Sequence, residues 1–401
     1  MLEAWKTTGG AASPISARLV RQRQSHLYRT RKVRQGPQDT TVTIDGKHCI
    51  TFCSNDYLGL ANDPALVTAL QEGARRYGVG SGASHLVSGH SAVHHELETA
   101  LAAFTGRSRA LLFSSGYLAN LGVISALVSP GDPVFEDRLN HASLIDAALL
   151  SRARLQRYRH GDPQALARRL EKLADKPALI ASDGVFSMDG DLAPLPGLAA
   201  LAREKDALLM IDDAHGLGVI GREGRGTLEY YNLGEDQAPV LMGTLGKAFG
   251  TFGAFVAGSD ELIEYLIQFA RTYIYTTALP PAIAHASLAA LRLVRDGHER
   301  RERLHGLCRR FIEGAKQLGL PLATHLTGAG QAACVPIIPL ILGDNQRTLA
   351  ASKALEDRGI LVTAIRPPTV PAGSARLRIT LCANHTKTQV DQLLEALSSV
   401  I

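Results

Sequence analysis

The sequence predicts an α/β fold with a mostly parallel central sheet and a smaller C-terminal α/β domain. Three observations predict it. From about residue 62 onward, short apolar runs of strand length alternate with helix-period segments. Pro280-Pro281 then interrupts the alternation, and a long helical stretch leads to a second set of strands and helices. Finally, polar residues follow several apolar runs, at what a parallel sheet makes its carboxyl edge, where ligands collect in such sheets.

Residues 1 to about 35 are polar and basic, with Arg18, Arg21, Arg23, Arg29, Arg31, Lys32 and Arg34, and read as an arm with a helix after Pro14. Residues 41 to 53 alternate as a short hairpin. The expected strands of the large sheet are Ala110–Phe113, Pro133–Glu136, Ala178–Ser182, Ala207–Asp212, Val240–Met242 and Gly253–Ala257. Helices fill the gaps, among them Ala92–Thr105, Pro163–Leu173 and Leu198–Glu204. One helical segment is expected over about 282 to 318. Strands at Val335–Leu342, Gly359–Thr363 and Arg376–Thr380, with helices at about 346 to 357 and 387 to 399, complete the cap. The expected division is 1–53 for the arm and hairpin, 54–285 for the large domain and 286–401 for the small one.

Composition bounds the function. A chain of 401 residues with 45% hydrophobic content can bury a large core. The net charge of +5, from Lys+Arg 43 against Asp+Glu 38, suits an anionic substrate without demanding one. No zinc-finger spacing or aromatic RNA-binding signature points to nucleic acid. The cysteines Cys49, Cys53, Cys308, Cys334 and Cys382 form no CxxC pair, so neither a disulfide framework nor a metal site is expected. No apolar run long enough to span a membrane occurs, and a cytoplasmic location is expected.

The chemistry centres on two stretches. Leu208 to Gly216 ends an apolar run on Asp212 and places His215 three residues later, and Gly243 to Gly250 surrounds Lys247 with glycine and small residues. An ammonium there is desolvated and its pKa lowered, as Schiff-base chemistry needs. A carboxylate at a strand end holds a pyridine nitrogen protonated, so the pair reads as the amine and the electron-sink partner of a pyridoxal phosphate site. His215 reaches the phenolic oxygen of such a ring if its turn folds back. A phosphate-binding P-loop is excluded, since Leu241 and Ala248 stand where glycine and a hydroxyl residue belong.

Ala110 to Asn120 reads as strand, glycine turn and helix start, a phosphate site made of free amides and the helix dipole, with Thr244 adding a hydroxyl. His141, just beyond another strand, is placed to stack on the ring, and Ser187 ends a further strand. The run Gly78 to Ala83 lacks the apolar strand a dinucleotide fingerprint requires, and no Gly-x-Ser-x-Gly occurs.

Six stretches stand in the order found in one family: Ser54 to Leu60, Gly80-Ser81-Gly82, His141-Ala142-Ser143, Val185 to Asp191, Asp212 to Gly216, and Thr244 to Lys247. On these the chain resembles the α-oxoamine synthases, pyridoxal phosphate enzymes of the aspartate aminotransferase fold, over nearly its whole length. The resemblance implies that Lys247 is the Schiff-base lysine, Asp212 the pyridine-nitrogen partner, His215 the phenolate partner and His141 the stacking base. It implies that Gly116, Tyr117, Ser187 and Thr244 help bind the cofactor, and that Thr277 does so across a homodimer interface. Asp183 and Leu217 depart from the residues usual in the family, and neither is expected to touch the core chemistry.

The run Thr363 to Gly373, followed by Ala375 to Arg378, resembles the branch that joins L-alanine to a pimeloyl thioester carried on coenzyme A or acyl carrier protein. Siblings that join glycine to acetyl-CoA or succinyl-CoA are the alternative. For the substrates, the resemblance implies Arg29, Asn55, Arg366, Thr369 and Arg378, with Arg378 gripping the amino-acid carboxylate.

Overall fold

The computed structural model describes residues 13–173, 178–326 and 334–401. The basic arm forms a helix over Pro14–Gln24, started by Ser13, whose side chain accepts from the Ser16 amide, and it buries none of its residues. Strands β1 (Arg34–Gln35), β2 (Thr41–Ile44) and β3 (Lys47–Thr51) follow as an antiparallel set.

The helix Ala92–Thr105 has the bounds expected of it. A capping box of Ser91 and His94 starts it, and Gly106, left-handed at φ 67, ends it. The large sheet is then built from β4 (Arg109–Phe113), β5 (Pro133–Asp137), β6 (Arg154–Tyr158), β7 (Leu179–Asp183), β8 (Leu208–Asp212), β9 (Val240–Thr244) and β10 (Ala254–Gly258). Their order across the sheet is β4-β10-β9-β8-β7-β5-β6. The five strands from β9 to β6 are mutually parallel, whereas β10 lies antiparallel to both β9 and β4. Strands buried on both faces read as continuous apolar runs, which is why these were visible in the sequence. The exception is β6, which the sequence reading omits. It is an edge strand, and its Arg154, Gln156 and Arg157 follow the polar habit of an unpaired edge.

The helical segment expected over 282 to 318 is two helices, Pro281–Arg295 and His298–Gln317, parted at Asp296-Gly297. Beyond them come β11 (Ile337–Gly343), β12 (Ile360–Leu361), β13 (Thr363–Ile365) and β14 (Ala375–Thr380). The single strand expected at 359–363 is thus divided. β12 pairs in parallel with β3, while β13 pairs with β14 in the antiparallel sheet β11-β14-β13. A two-stranded hairpin is marginal alone, and here β3 gains its second neighbour from the C-terminal part of the chain. The amide of Phe52 donates to Leu361 O at 2.9 Å and that of Thr380 to Phe52 O at 2.8 Å. These bonds carry the segment after β3, with Asn55 and Tyr57, to the edge of β14.

Candidate active site

Strands β4, β5, β7, β8 and β9 all run in one direction, so the loops after them emerge together at the carboxyl edge. Those loops carry Gly116, His141, Ser187, His215 and Lys247 in turn. The last residue of β8 is Asp212. Its neighbour Asp213 points to the opposite side of the strand, where Oδ2 accepts from the Thr227 amide at 2.7 Å. Asp212 alone therefore faces the site.

One carboxylate oxygen of Asp212, Oδ1, accepts from the Ala214 amide at 3.0 Å, and Oδ2 accepts from Asn120 Nδ2 at 2.7 Å. The same Nδ2 group donates to Ser143 Oγ at 2.8 Å. That hydroxyl lies 2.7 Å from His141 Nδ1, which also receives the Ser143 amide at 3.3 Å. With Nδ1 accepting, the imidazole carries its proton on Nε2. Burial, the main influence, lowers the His141 pKa, although Asp212 works the other way. His141 is thus a neutral imidazole with one N–H left to offer.

Lys247 follows β9 in the same cluster. Burial pushes its pKa down to about 8, against the pull of Asp212 and Asp183. Its Nζ lies 2.8 Å from His215 Nε2, and His215 Nδ1 lies 2.7 Å from the Tyr57 hydroxyl. Tyr57 donates to Asn55 Oδ1 at 3.1 Å, and the Arg378 guanidinium donates to that same oxygen at 3.2 and 3.3 Å. Burial, with Lys247 and Arg378 adding to it, holds His215 well below the ordinary histidine pKa. A neutral His215 accepts at Nε2 and donates at Nδ1, so every bond from lysine to asparagine runs in one consistent direction.

Arg376 and Arg378 share one face of β14 and are both buried. Their partners separate them. Arg376 pairs with Asp189 at 2.6 Å and donates to Met188 O and Ser374 O. Arg378 donates from Nε to Ser187 O at 2.6 Å and otherwise to Asn55, so among the described residues it has no carboxylate partner. A buried guanidinium bonded only to neutral oxygens retains its full attraction for an incoming carboxylate.

The donor set fits pyridoxal phosphate. A desolvated amine, a fixed strand-end carboxylate and a neutral imidazole gather at one sheet edge, beside the start of the helix Gly116–Leu127. Ser115 Oγ accepts from the Leu118 amide, leaving the amides of Gly116 and Tyr117 without an acceptor among the described residues. Such first-turn amides bind phosphate. The Tyr117 hydroxyl donates to Asp146, so its contribution falls to its backbone or ring. Thr244 Oγ1 donates to Gly253 O at 3.1 Å and accepts from the Gly246 amide at 3.2 Å. Thr277 is exposed, forms an antiparallel bridge with Ser84 and stands outside this network.

Two clefts share Thr369, and the first of them reaches His141 of the cluster. One of about 810 Å³ is lined by His141, Ser187 and Thr369, with Arg138 and Arg157 also on its wall. The other, of about 420 Å³, is lined by Arg29, Lys32, Arg366 and again Thr369. Arg29 donates to Thr369 Oγ1 at 3.5 Å, and Arg366 donates to the carbonyls of His26 and Tyr28. The arm and the proline-rich run therefore meet at one wall.

Asp183 bonds to the site only through the main chain. Its Oδ2 accepts from the His141 amide at 2.7 Å, fixing the backbone of that loop. Leu217, by contrast, lies in the core. The sequence reading also passed over Tyr57, Asn120 and Ser143 as site residues. All three lie within stretches singled out above, and for Asn120 and Ser143 the available signal was a polar side chain set among apolar residues.

Comparison with known proteins agrees with this arrangement. Residues 47–397 match the family model for aminotransferase class I and II. The 8-amino-7-oxononanoate synthase of Methylococcus capsulatus is 61% identical over 97% of this chain and 98% of its own. That of Pseudomonas putida is 58% identical over 96% and 97%. Among solved structures, a Sphingomonas wittichii serine palmitoyltransferase superposes with a TM-score of 0.90 at 32% identity, covering 97% of this chain and 98% of that one. The 8-amino-7-oxononanoate synthase of Francisella tularensis gives 0.75 at 35% identity, covering 88% and 97%. With 96–97% of its length matched at such identity and its site residues assembled as described, the chain belongs to the 8-amino-7-oxononanoate synthase family within aminotransferase class I and II.

Proposed function

We propose that this protein is a pyridoxal phosphate enzyme that condenses L-alanine with a pimeloyl thioester, releasing carbon dioxide and the free thiol carrier and forming 8-amino-7-oxononanoate, a step of biotin biosynthesis. The observation that carries this reading is the bonded series Lys247, His215, Tyr57, Asn55 and Arg378. It couples the amine at one end to a guanidinium at the other that has no carboxylate partner among the described residues.

Pyridoxal phosphate, when bound, supplies an electrophilic carbon for an amine and an electron sink for charge left at the alanine Cα. Asp212 would hold the ring nitrogen, and the amides of Gly116 and Tyr117 with the Thr244 hydroxyl would hold the phosphate. Arg378 grips the alanine carboxylate in a bidentate manner and so sets the Cα–H bond toward Lys247. Lys247 Nζ takes that proton, its pKa of about 8 being suited to a general base near neutrality. His141 directs its Nε2–H into the cleft, toward the thioester oxygen as charge develops there. Asp183 keeps it there through the backbone.

The acyl chain occupies the clefts that share Thr369, with Arg29 and Arg366 supplying positive charge for the anionic donor. Both coenzyme A and an acidic acyl carrier protein suit that charge. Relatives at 58–61% identity support alanine and pimeloyl groups over the glycine-using siblings. We read the enzyme as a cytoplasmic homodimer in which Thr277 serves the partner's phosphate site. We read 1–53 as an arm and hairpin, 54–285 as the cofactor domain and 286–401 as the small domain, against which Arg29, Lys32 and β3 pack.

The test is direct. Purified enzyme loaded with pyridoxal phosphate and given L-alanine and pimeloyl-CoA should release thiol and form the aminoketone in equal amounts. Thiol release with glycine but not alanine would move the protein to a sibling activity, and no release with either from pimeloyl-CoA or from pimeloyl-acyl carrier protein would sink the reading.

A further inference from the structure

The segment running from His85 to Glu98 carries four histidines and two glutamates, none used by the chemistry above. It begins as a five-residue π-helical turn, His85–Gly89, and enters the helix Ala92–Thr105. Two of its histidines are committed to structure. His94 Nδ1 accepts from the Ser91 amide at 3.0 Å, and its Nε2 meets Leu279 O at 2.6 Å. His85 is buried, with Nδ1 3.0 Å from His90 Nδ1.

His90, His95 and Glu98 are placed differently. His95 and Glu98 lie three residues apart on the helix and so share a face, and His90 comes over that face from the preceding turn. Their ligating atoms all fall within 4.8 Å of one another. His90 Nε2 and Glu98 Oε2 are 3.8 Å apart, too far for a hydrogen bond. It is close to the spacing of two ligands around one ion, roughly 3.3 Å for tetrahedral geometry with bonds near 2.0–2.1 Å.

The flanking contacts orient the same atoms. Glu98 Oε1 accepts from the Leu112 amide at 3.0 Å, which turns Oε2 toward the histidines. The contact of His90 Nδ1 with His85 leaves Nε2 as the outward nitrogen, the arrangement usual behind a metal-bound imidazole. Burial raises the Glu98 pKa to about 7, and it lowers that of His90. The nearby Arg109 donates to Glu264 at 3.2 Å. A carboxylate oxygen turned toward two imidazole nitrogens, with no cationic side chain bonded to it, is a receptive environment for a cation.

We propose that His90, His95 and Glu98 bind one divalent transition-metal ion per chain, with zinc the best match to two imidazoles and a carboxylate. Water completes the coordination on the exposed side. The site stands apart from the Lys247 cluster, and its occupancy does not depend on the reaction assigned above.

Holoenzyme freed of metal with a chelator and dialysed is titrated with zinc sulfate by calorimetry, and with cobalt(II) chloride followed by visible absorbance. One ion per chain is expected, with cobalt bands of a tetrahedral or five-coordinate site and no change in the cofactor spectrum. His95→Ala, at an exposed position, should weaken binding by ~10-fold or more, as should Glu98→Gln, which keeps an oxygen for the Leu112 amide. His298→Ala, on an exposed helix start elsewhere, should leave affinity unaltered. The proposal is overturned if wild type takes up less than one ion per chain, if His95→Ala binds as tightly as wild type, or if His298→Ala weakens binding equally. Should Glu98→Gln misfold, the exposed His95→Ala still decides.

Discussion

The amine of Lys247 stands 2.8 Å from Nε2 of His215, a histidine that burial and its cationic neighbours keep uncharged. The imidazole therefore acts as an acceptor for the lysine and passes orientation, not charge, on to Tyr57. The lysine is held in place by a partner that does not stabilise its charge, which is why desolvation dominates its pKa.

Replacement of Lys247 by alanine should leave a folded protein that holds pyridoxal phosphate weakly through Asp212 and the Gly116 turn. Turnover should fall by ~10⁴-fold or more, since in the proposed reaction the same amine attaches the cofactor and takes the Cα proton. Absorbance spectra of the loaded variant, lacking the lysine-bound chromophore, together with single-turnover kinetics check both parts.

The pH dependence of cofactor capture follows from the Lys247 pKa of about 8. Only the neutral amine attacks, so the rate at which cofactor-free enzyme acquires the lysine-bound absorbance should rise ~10-fold per pH unit below 8 and level off above it. Stopped-flow mixing between pH 6 and 10 measures this, and a flat profile below pH 8 would contradict the assignment.

Arg378 and Arg376 should respond differently to truncation. Arg378→Ala removes a grip worth ~1.5–3 kcal/mol, so kcat/KM for alanine should drop by ~10- to 150-fold while cofactor absorbance persists. Arg376→Ala strands Asp189 in a half-buried setting and should act mainly on stability. Steady-state kinetics beside thermal melting separate the two, and equal small effects would remove Arg378 from the site.

His160 ties two of the active-site loops together, at 3.0 Å from Asp137 Oδ1 and 2.9 Å from Asp191 Oδ2. Burial alone would lower its pKa, but the hydrogen bonds it donates to the two aspartates outweigh that and raise it to about 10. A raised folded-state pKa means the stabilisation is complete below the unfolded value near 6.5 and fades as pH climbs through about 10. His160→Gln should therefore cost roughly 2 kcal/mol at pH 6 and distinctly less at pH 10.5. Melting curves of both proteins at the two pH values test the sign.

Much of this arrangement was legible in the sequence because buried parallel strands announce themselves. Asp212, His215 and Lys247 could be placed at strand ends from apolar runs and spacing alone. What escaped notice depended on long-range contacts. Tyr57 becomes part of the site only because β12 docks on β3, and Asn120 only because its helix lies over the end of β8. Whether Arg376 or Arg378 was free for a ligand turned on Asp189, far away in the chain. Edge strand β6 was missed for a separate reason, since its composition answers to solvent.

The reversed strand β10 serves as a ruler. Its Ala254 sits opposite Phe113, which ends β4, and opposite Thr244, which ends β9. The Gly116 turn and the lysine loop thus leave the sheet level with each other, separated by two interstrand spacings, roughly 9–10 Å. That gauge is locked by alternation: Ala254 and Val256 enter one apolar cluster, Phe255 and Ala257 another. A slip of one residue would turn each set into the wrong core. The separation between the Gly116 turn and the Lys247 loop is therefore calibrated by main-chain pairing. Substitutions in the surrounding helices can loosen the protein without changing it.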